Sequence, residues 1–344
     1  MGSGEVVMGP FGERGQVTAI SYHDTVNDLQ GRVWSDQGPF ARPAWFRLLE
    51  ESGLHPFIAV VREGDEAMAL PLHRRGGRLE ALTNWYAFDW RPLRTANADD
   101  DALLPALARA LLQQTHRLDL AKLPEEDGWL PRLEAAFGAA GWFIIRQPCD
   151  TNHILPVASR SYQKYLDTRP GPLRTTLKRK AKKVEAVVVA QFHPADWEAY
   201  EAIYASSWKP AEGDPALLRR FAEAESAAGR YRFALARHQG EPVAAQFWTV
   251  DGATAYIHKL AHRDSAAALS PGTTLTAALM QRVIDVDQVE QVDFGTGDDR
   301  YKRDWMEAQR TRWHLTCLRP TDPRNWPAIA RHLLRTLVSR NAAG

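Results

Sequence analysis

Residues 231–262 read YRFALARHQGEPVAAQFWTVDGATAYIHKLAH, and the fold follows from how this stretch is punctuated. Tyr231 to Arg237 and Pro242 to Val250 read as strands around a His238-Gln239-Gly240 turn, where glycine supplies the positive φ of a tight hairpin. A third strand is expected from Thr254 to Ala261. Upstream, Pro194 to Trp208 and Pro215 to Ala228 carry helical spacing, the second through Leu217, Leu218, Phe221 and Ala224. Downstream, a helix is expected over Gly272 to Val286 and a strand over Gln291 to Phe294. The order is helix, helix, three antiparallel strands, helix, strand.

The first half of the chain has the same order. Gln16 to His23 reads as a strand, and Thr25 to Gln37 and Arg42 to Ser52 read as helices bearing Leu29, Val33, Trp45, Leu48 and Leu49. A hairpin follows, Phe57 to Arg62 and Glu66 to His73 around Glu63-Gly64-Asp65, then a strand from Arg78 to Thr83 and an aromatic loop from Asn84 to Leu93. Ala98 to Thr115 is an amphipathic helix opened by Asp99, Asp100 and Asp101, acids favoured at a positive helix start. His116 to Leu123, Trp129 to Ala140 and Trp142 to Gln147 complete a strand, a helix and a strand. Phe57 through Gly64 aligns with Phe233 through Gly240 without a gap, and Leu118-Asp119-Leu120 answers Val292-Asp293-Phe294. A fixed offset of this kind marks internal duplication.

The bulk numbers agree with two folded domains. The chain has 344 residues, 44% hydrophobic and 25% charged, with a net charge of +1, so no global field draws it to nucleic acid or membrane. Cys149 and Cys317 stand far apart without metal-ligand spacing, which excludes a disulfide scaffold, predicts no metal site and fits a reducing cytoplasm. No apolar run approaches the roughly 18–20 residues needed to span a bilayer. Residues 1–15 read as a flexible tail, 16–155 as a first domain and 156–344 as a second with a closing C-terminal helix.

The stretches Ser270-Pro271-Gly272-Thr273-Thr274-Leu275 and Asp293-Phe294-Gly295-Thr296-Gly297-Asp298-Asp299-Arg300-Tyr301-Lys302 resemble an "SPGT … DF-x-x-G-x-x-x-YK" signature. It is that of the CelD/BioF2-like acetyltransferases, GNAT-fold relatives of the FemAB peptidoglycan enzymes. The resemblance covers most of the chain and is most specific in this C-terminal signature. It implies an α+β (α/β) fold of tandem GNAT domains, each a mixed, mainly antiparallel sheet flanked by helices. It also implies transfer of an acyl group from acetyl-CoA or a longer acyl-CoA to an amine, often in building cell-envelope or polysaccharide material. The usual GNAT phosphate loop is reduced here to Gly272, and the loop from Asn84 to Ala98 has no glycine. The first copy is therefore expected to hold a degenerate donor site.

A helix N-terminus with unpaired N–H groups attracts a diphosphate, which makes Ser270, Gly272, Thr273 and Thr274 candidate coenzyme contacts. The strand through Leu260 is the candidate partner of the pantetheine amides. Amine attack on a thioester needs a proton acceptor and charge stabilisation. His258, Asp293, Tyr301 and Lys302 are the candidates, each with a plain alternative as a packed, capping or solvated side chain, and Gln246 is a candidate substrate contact on the neighbouring strand.

Arg169 to Lys183 holds seven Lys or Arg residues and no acid. Either it is a solvated face, or Arg174 and Lys178 help to bind an anionic or lipid-linked substrate. Trp326 to Arg340 is either a helix packed on the second domain or a basic helix lying on a membrane, with packing the first expectation. The leading functional expectation is an N-acyltransferase acting on an amino sugar of an envelope or exopolysaccharide precursor, or on a long-chain amino lipid. It would work in the cytoplasm or at the inner face of the membrane, with no stable nucleic-acid partner. The alternatives are a FemX-like transferase using aminoacyl-tRNA and a catalytically inactive tandem GNAT binding protein.

Overall fold

The computed structural model describes residues 7–8 and 18–341. Apart from Val7–Met8, the expected tail of residues 1–15 lies outside the described residues. Along the chain come β1 (Val7–Met8), β2 (Ala19–His23), α1 (Pro43–Glu51), β3 (Pro56–Glu63), β4 (Glu66–Arg75), β5 (Arg78–Ala81), β6 (Leu93–Arg94), α2 (Asp100–Gln114), β7 (Arg117–Pro124), α3 (Trp129–Ala139) and β8 (Phe143–Pro156). Then follow α4 (Tyr162–Asp167), α5 (Gly171–Lys180), β9 (Glu185–Val189), α6 (Pro194–Ala205), α7 (Pro215–Ala227), β10 (Tyr231–His238), β11 (Glu241–Asp251), β12 (Thr254–His262), α8 (Pro271–Gln281), β13 (Gln291–Thr296), α9 (Arg300–Trp305), β14 (Ala308–Leu318) and α10 (Trp326–Asn341). The chain divides into two compact units. One runs to Asp150 and resumes at Thr311; the other is Thr151–Arg310.

In the first unit the strand order is β1-β2-β3-β4-β5-β7-β14, with β6 beside β4. All pairs are antiparallel except β5–β7, whose parallel register is Leu79↔Leu118 and Glu80↔Asp119. Leu103, Leu107 and Leu111 bury one face of α2. Asp99 caps that helix, accepting from the amides of Asp101 and Ala102.

Two differences from the sequence reading concern this unit. The helix expected from Thr25 to Gln37 is only a 3₁₀ turn over Val26–Leu29, broken by Gly31 at φ +81° and leaving Val33 89% exposed. The C-terminal helix, expected on the second domain, groups with the first unit. The reason is β14, which pairs with β7 from Arg312↔Pro124 to Leu318↔Arg117 and carries the following chain with it. Asn325 Nδ2 then donates to the carbonyl of His116 at 2.7 Å.

The second unit has the order β8-β13-β12-β11-β10-β9, antiparallel except for β12–β13. On one face, Leu275, Leu279 and Met280 of α8 pack with Trp248, Ile257 and Val292. On the other, Trp197 of α6 and Phe221 of α7 meet Phe247 at ring distances of 5.5 and 5.9 Å. The aligned hairpin glycines sit one turn position apart. Gly64 opens its turn at φ +59°, whereas Gly240 follows Gln239, with φ of +85° and +54°. A bulge beside Ala236 absorbs the difference.

Leu279 is fully buried. Leu279→Ala is expected to destabilise the second unit by about 3 kcal/mol through lost contacts and a cavity, read as a lower urea midpoint.

Candidate active site

The second unit's helix α8 begins without a side-chain cap. Ser270, at φ +53°, turns its hydroxyl away from the helix to accept from Lys180 Nζ at 3.1 Å. Pro271 has no N–H, and the amides of Gly272 and Thr273 lie in the first turn, where an α-helix offers no internal acceptor. Thr274 N reaches Ser270 O at 3.3 Å. Thr273 is half-buried and Thr274 buried. Gly272 has a packing reason of its own: a Cβ there would stand 3.1 Å from Leu260 Cδ1. The five residues expected to contact the coenzyme therefore meet at one place, with Leu260 and Gly272 touching each other.

The strand beside this helix start comes apart from its neighbour. The parallel register of β12 with β13 runs Thr254↔Gln291, Ala255↔Val292, Tyr256↔Asp293 and stops. Just beyond, β12 bulges: Ile257 pairs with Trp248 and Lys259 with Phe247, so His258 is the extra residue.

Three candidates prove to be tied into the protein. Gln246 is fully buried and donates to Gly272 O at 2.9 Å and Thr276 Oγ1 at 2.7 Å, while accepting from Trp248 Nε1 at 2.8 Å. Its amide holds α8 on the sheet, which corrects the expectation of a substrate contact. Asp293 is buried, accepting from Asn152 Nδ2 and Gly295 N, both at 2.7 Å. Lys302 is 4% exposed, and its ammonium donates to Thr296 O, closing the glycine loop.

His258 packs its ring against Phe247 and Phe221 at 5.0 and 5.1 Å, with Nε2 2.8 Å from Thr249 Oγ1. Burial, aided by the neighbouring Lys259 charge, pushes its pKa down to about 3. An imidazole held this low is a poor proton acceptor at neutral pH. Tyr301 is 41% exposed, its ring edge-on to Phe294. Desolvation and then the Asp299 carboxylate push its hydroxyl up to about 12, so it keeps its proton at neutral pH.

The structure adds residues that the sequence reading passed over. A cavity of about 750 Å³ between α6 and α7 is lined by Trp197, Tyr200, Tyr204, Lys209, Glu212 and Leu218. Glu212 Oε1 accepts from Lys259 Nζ at 2.9 Å, a pair that is 9% and 7% exposed. Lys209 is lowered to about 8, first by desolvation and then by the Lys259 charge, with Lys302 adding to the fall and Glu212 and Asp299 opposing it. Nothing in the spacing of Trp208-Lys209-Pro210 marks that lysine. Lys180 lay inside the basic run, but Arg174 and Lys178, chosen from it, are exposed.

The first unit treats the equivalent positions differently. Helix α2 is capped by its own Asp99, and Asp100 pairs with Arg94 and, at 2.7 Å, with Arg132. Where β5 and β7 part, Lys122 Nζ donates to Asn84 O at 2.9 Å and Ala87 O at 2.6 Å. Carboxylates stand where an incoming phosphate would need amides.

A histidine with a depressed folded-state pKa binds fewer protons folded than unfolded. Its contribution to stability is full above the ordinary 6.5 and drains as pH falls towards about 3. His258→Asn is expected to flatten the acid side of the stability–pH curve, measured by urea midpoints across that window. A slope unchanged from wild type would place the acid sensitivity elsewhere.

Residues 172–303 match the sequence model of the acetyltransferase (GNAT) domain. No curated protein matches the chain. Solved structures with a similar fold include a conserved protein of unknown function from Bacteroides thetaiotaomicron, at 14% identity over 86% of this chain and 99% of that one, TM-score 0.59. Another is FemX, at 10% identity over 85% and 96%, TM-score 0.58. A third is the L-PGS of Bacillus licheniformis, at 12% identity over 89% and 99%, TM-score 0.50. At these identities the likeness is one of fold. The chain is an α+β protein whose second half contains the stretch that matches the GNAT domain model.

Proposed function

We propose that the chain is an N-acyltransferase that takes its acyl group from an acyl-CoA and whose donor site is in the second unit. The observation that carries this reading is the start of α8, uncapped, with Lys180 at Ser270, beside a strand whose ladder has just ended. The amides of Gly272 and Thr273, the helix dipole and the Lys180 ammonium suit a diphosphate. The backbone of β12 beyond Tyr256 suits an extended, amide-bearing arm. Bound there, the donor supplies an activated acyl thioester.

The protein's own groups divide the remaining work. The cavity between α6 and α7 admits an amine with an apolar body, such as an amino sugar carrying a lipid or polymer portion. Lys209, lowered to about 8, accepts a proton at Nζ in its neutral form. Tyr301 holds a proton at its hydroxyl for the departing sulfur. The Glu212–Lys259 pair fixes charge at the cavity edge.

Two measurements test this. Acetyl-CoA or a longer acyl-CoA is expected to raise the melting temperature of the wild type. Lys180→Glu should weaken that binding by roughly tenfold without changing the melting temperature of the free protein. Stabilisation by aminoacyl-tRNA alone would replace the coenzyme with the second candidate donor. Indifference to both would leave a binding protein.

With acyl-CoA and a competent amine, kcat is expected to rise with pH through about 8 as Lys209 loses its proton. Lys209→Met should remove that limb and lower kcat by about a hundredfold, within the usual range for losing a general base. A pH profile that Lys209→Met leaves unchanged would exclude this lysine as the base.

A further inference from the structure

Helix α10, in the first unit, contradicts the expectation that it packs its apolar face. Trp326, Leu333, Leu334, Leu337 and Val338 are 57%, 49%, 63%, 57% and 68% exposed. At 3.6 residues per turn these positions fall on one stripe. The side turned to the protein is another one, marked by His332, edge-on to Phe143 at 5.8 Å, and half-buried Ile329. A monomeric soluble protein seldom presents a contiguous apolar stripe of this kind to water.

The charges on and beside the stripe have one sign. From Pro323 to Gly344 the sequence has no Asp or Glu, whereas Arg331 and Arg335 lie on α10 and Arg324 just before it. Arg324 is tied to Asp322 at 2.8 Å; Arg331 and Arg335 are exposed and flank the leucines. Trp326 stands at the helix start with its indole Nε1 donating to Pro320 O at 2.9 Å, an aromatic of the kind enriched at lipid–water boundaries. Among the described residues no helix is long and apolar enough to cross a membrane.

We propose that α10 docks the chain on an anionic lipid surface, its leucine stripe entering the headgroup region while Arg331 and Arg335 meet lipid phosphates. A protein partner burying the same leucines has no reason to need Arg331 and Arg335, which pair with no acid among the described residues. An anionic leaflet satisfies both features at once, and each arginine adds to the attraction in a salt-dependent way. The docking is independent of the chemistry proposed for the second unit, because none of these residues belongs to that site.

The test is co-sedimentation of the full chain with vesicles of phosphatidylcholine alone and of phosphatidylcholine mixed with phosphatidylglycerol. The wild type is expected to pellet with the mixed vesicles, much less with the neutral ones, and to be released by salt. Leu334→Asp combined with Leu337→Asp should weaken binding at least roughly tenfold, since each leucine contributes buried methylene area. Both side chains are exposed, so the melting temperature should hold. Arg331→Gln with Arg335→Gln should lose the preference for the anionic vesicles. Failure of the wild type to bind mixed vesicles would overturn the proposal. So would equal binding by the aspartate variant, or a dimer in solution that this variant dissolves without any vesicle binding.

Discussion

The second unit depends on one strand pair that holds together for three residues and then divides. Strands β12 and β13 are its one parallel pair, and their register ends at Tyr256↔Asp293. A parallel pair needs a crossover, and α8 provides it, so its N-terminus is delivered to the end of β12. The close approach has a steric condition: a side chain at position 272 would press on Leu260. Gly272 is small for the sake of the helix–strand contact, which sets the helix start close beside β12.

The same topology recurs in the first unit, where the protein's own groups occupy the helix start. There too a parallel pair is short and a helix crosses over, but every attractive feature is cancelled. Asp99 takes the amides that an anion would use, Asp100 sits among arginines, and Lys122 ties the aromatic loop across the gap. An uncapped helix costs stability, because a good N-cap is worth about 1 kcal/mol. The first unit has its cap. The second goes without one at α8 and holds Lys180 at Ser270.

The architecture was legible because its cues are local. Alternation and turn glycines marked β10, β11 and β12, and helical spacing marked α7 and α8. Elements determined by distant partners were not legible. Strand β14 has a form set by pairing with β7, and β9 depends on β10. The Thr25–Gln37 periodicity failed because Leu29 finds a core and Val33 does not. The helix start at Ser270–Thr274 could be read because the turn and proline cues that mark it are local. Side-chain roles could not, because burial decides them. His258, Asp293 and Lys302 are chemically suitable, yet each is committed to aromatic rings, a buried amide or a loop carbonyl.

Burial also explains why the more useful charges were missed. Lys209 loses proton affinity through being desolvated and through Lys259 nearby, and Lys259 is itself held in place by Glu212. A buried ion pair is weak evidence for stability, since desolvation offsets much of the attraction, and an apolar pair of equal volume often serves as well. Its persistence at the edge of a largely apolar cavity calls for another reason. Glu212 and Asp299 favour the Lys209 ammonium, but desolvation together with the Lys259 charge outweighs them. The pair sets opposed charges beside Lys209, Lys259 lowering its proton affinity and Glu212 raising it, while desolvation is the larger cause of the fall.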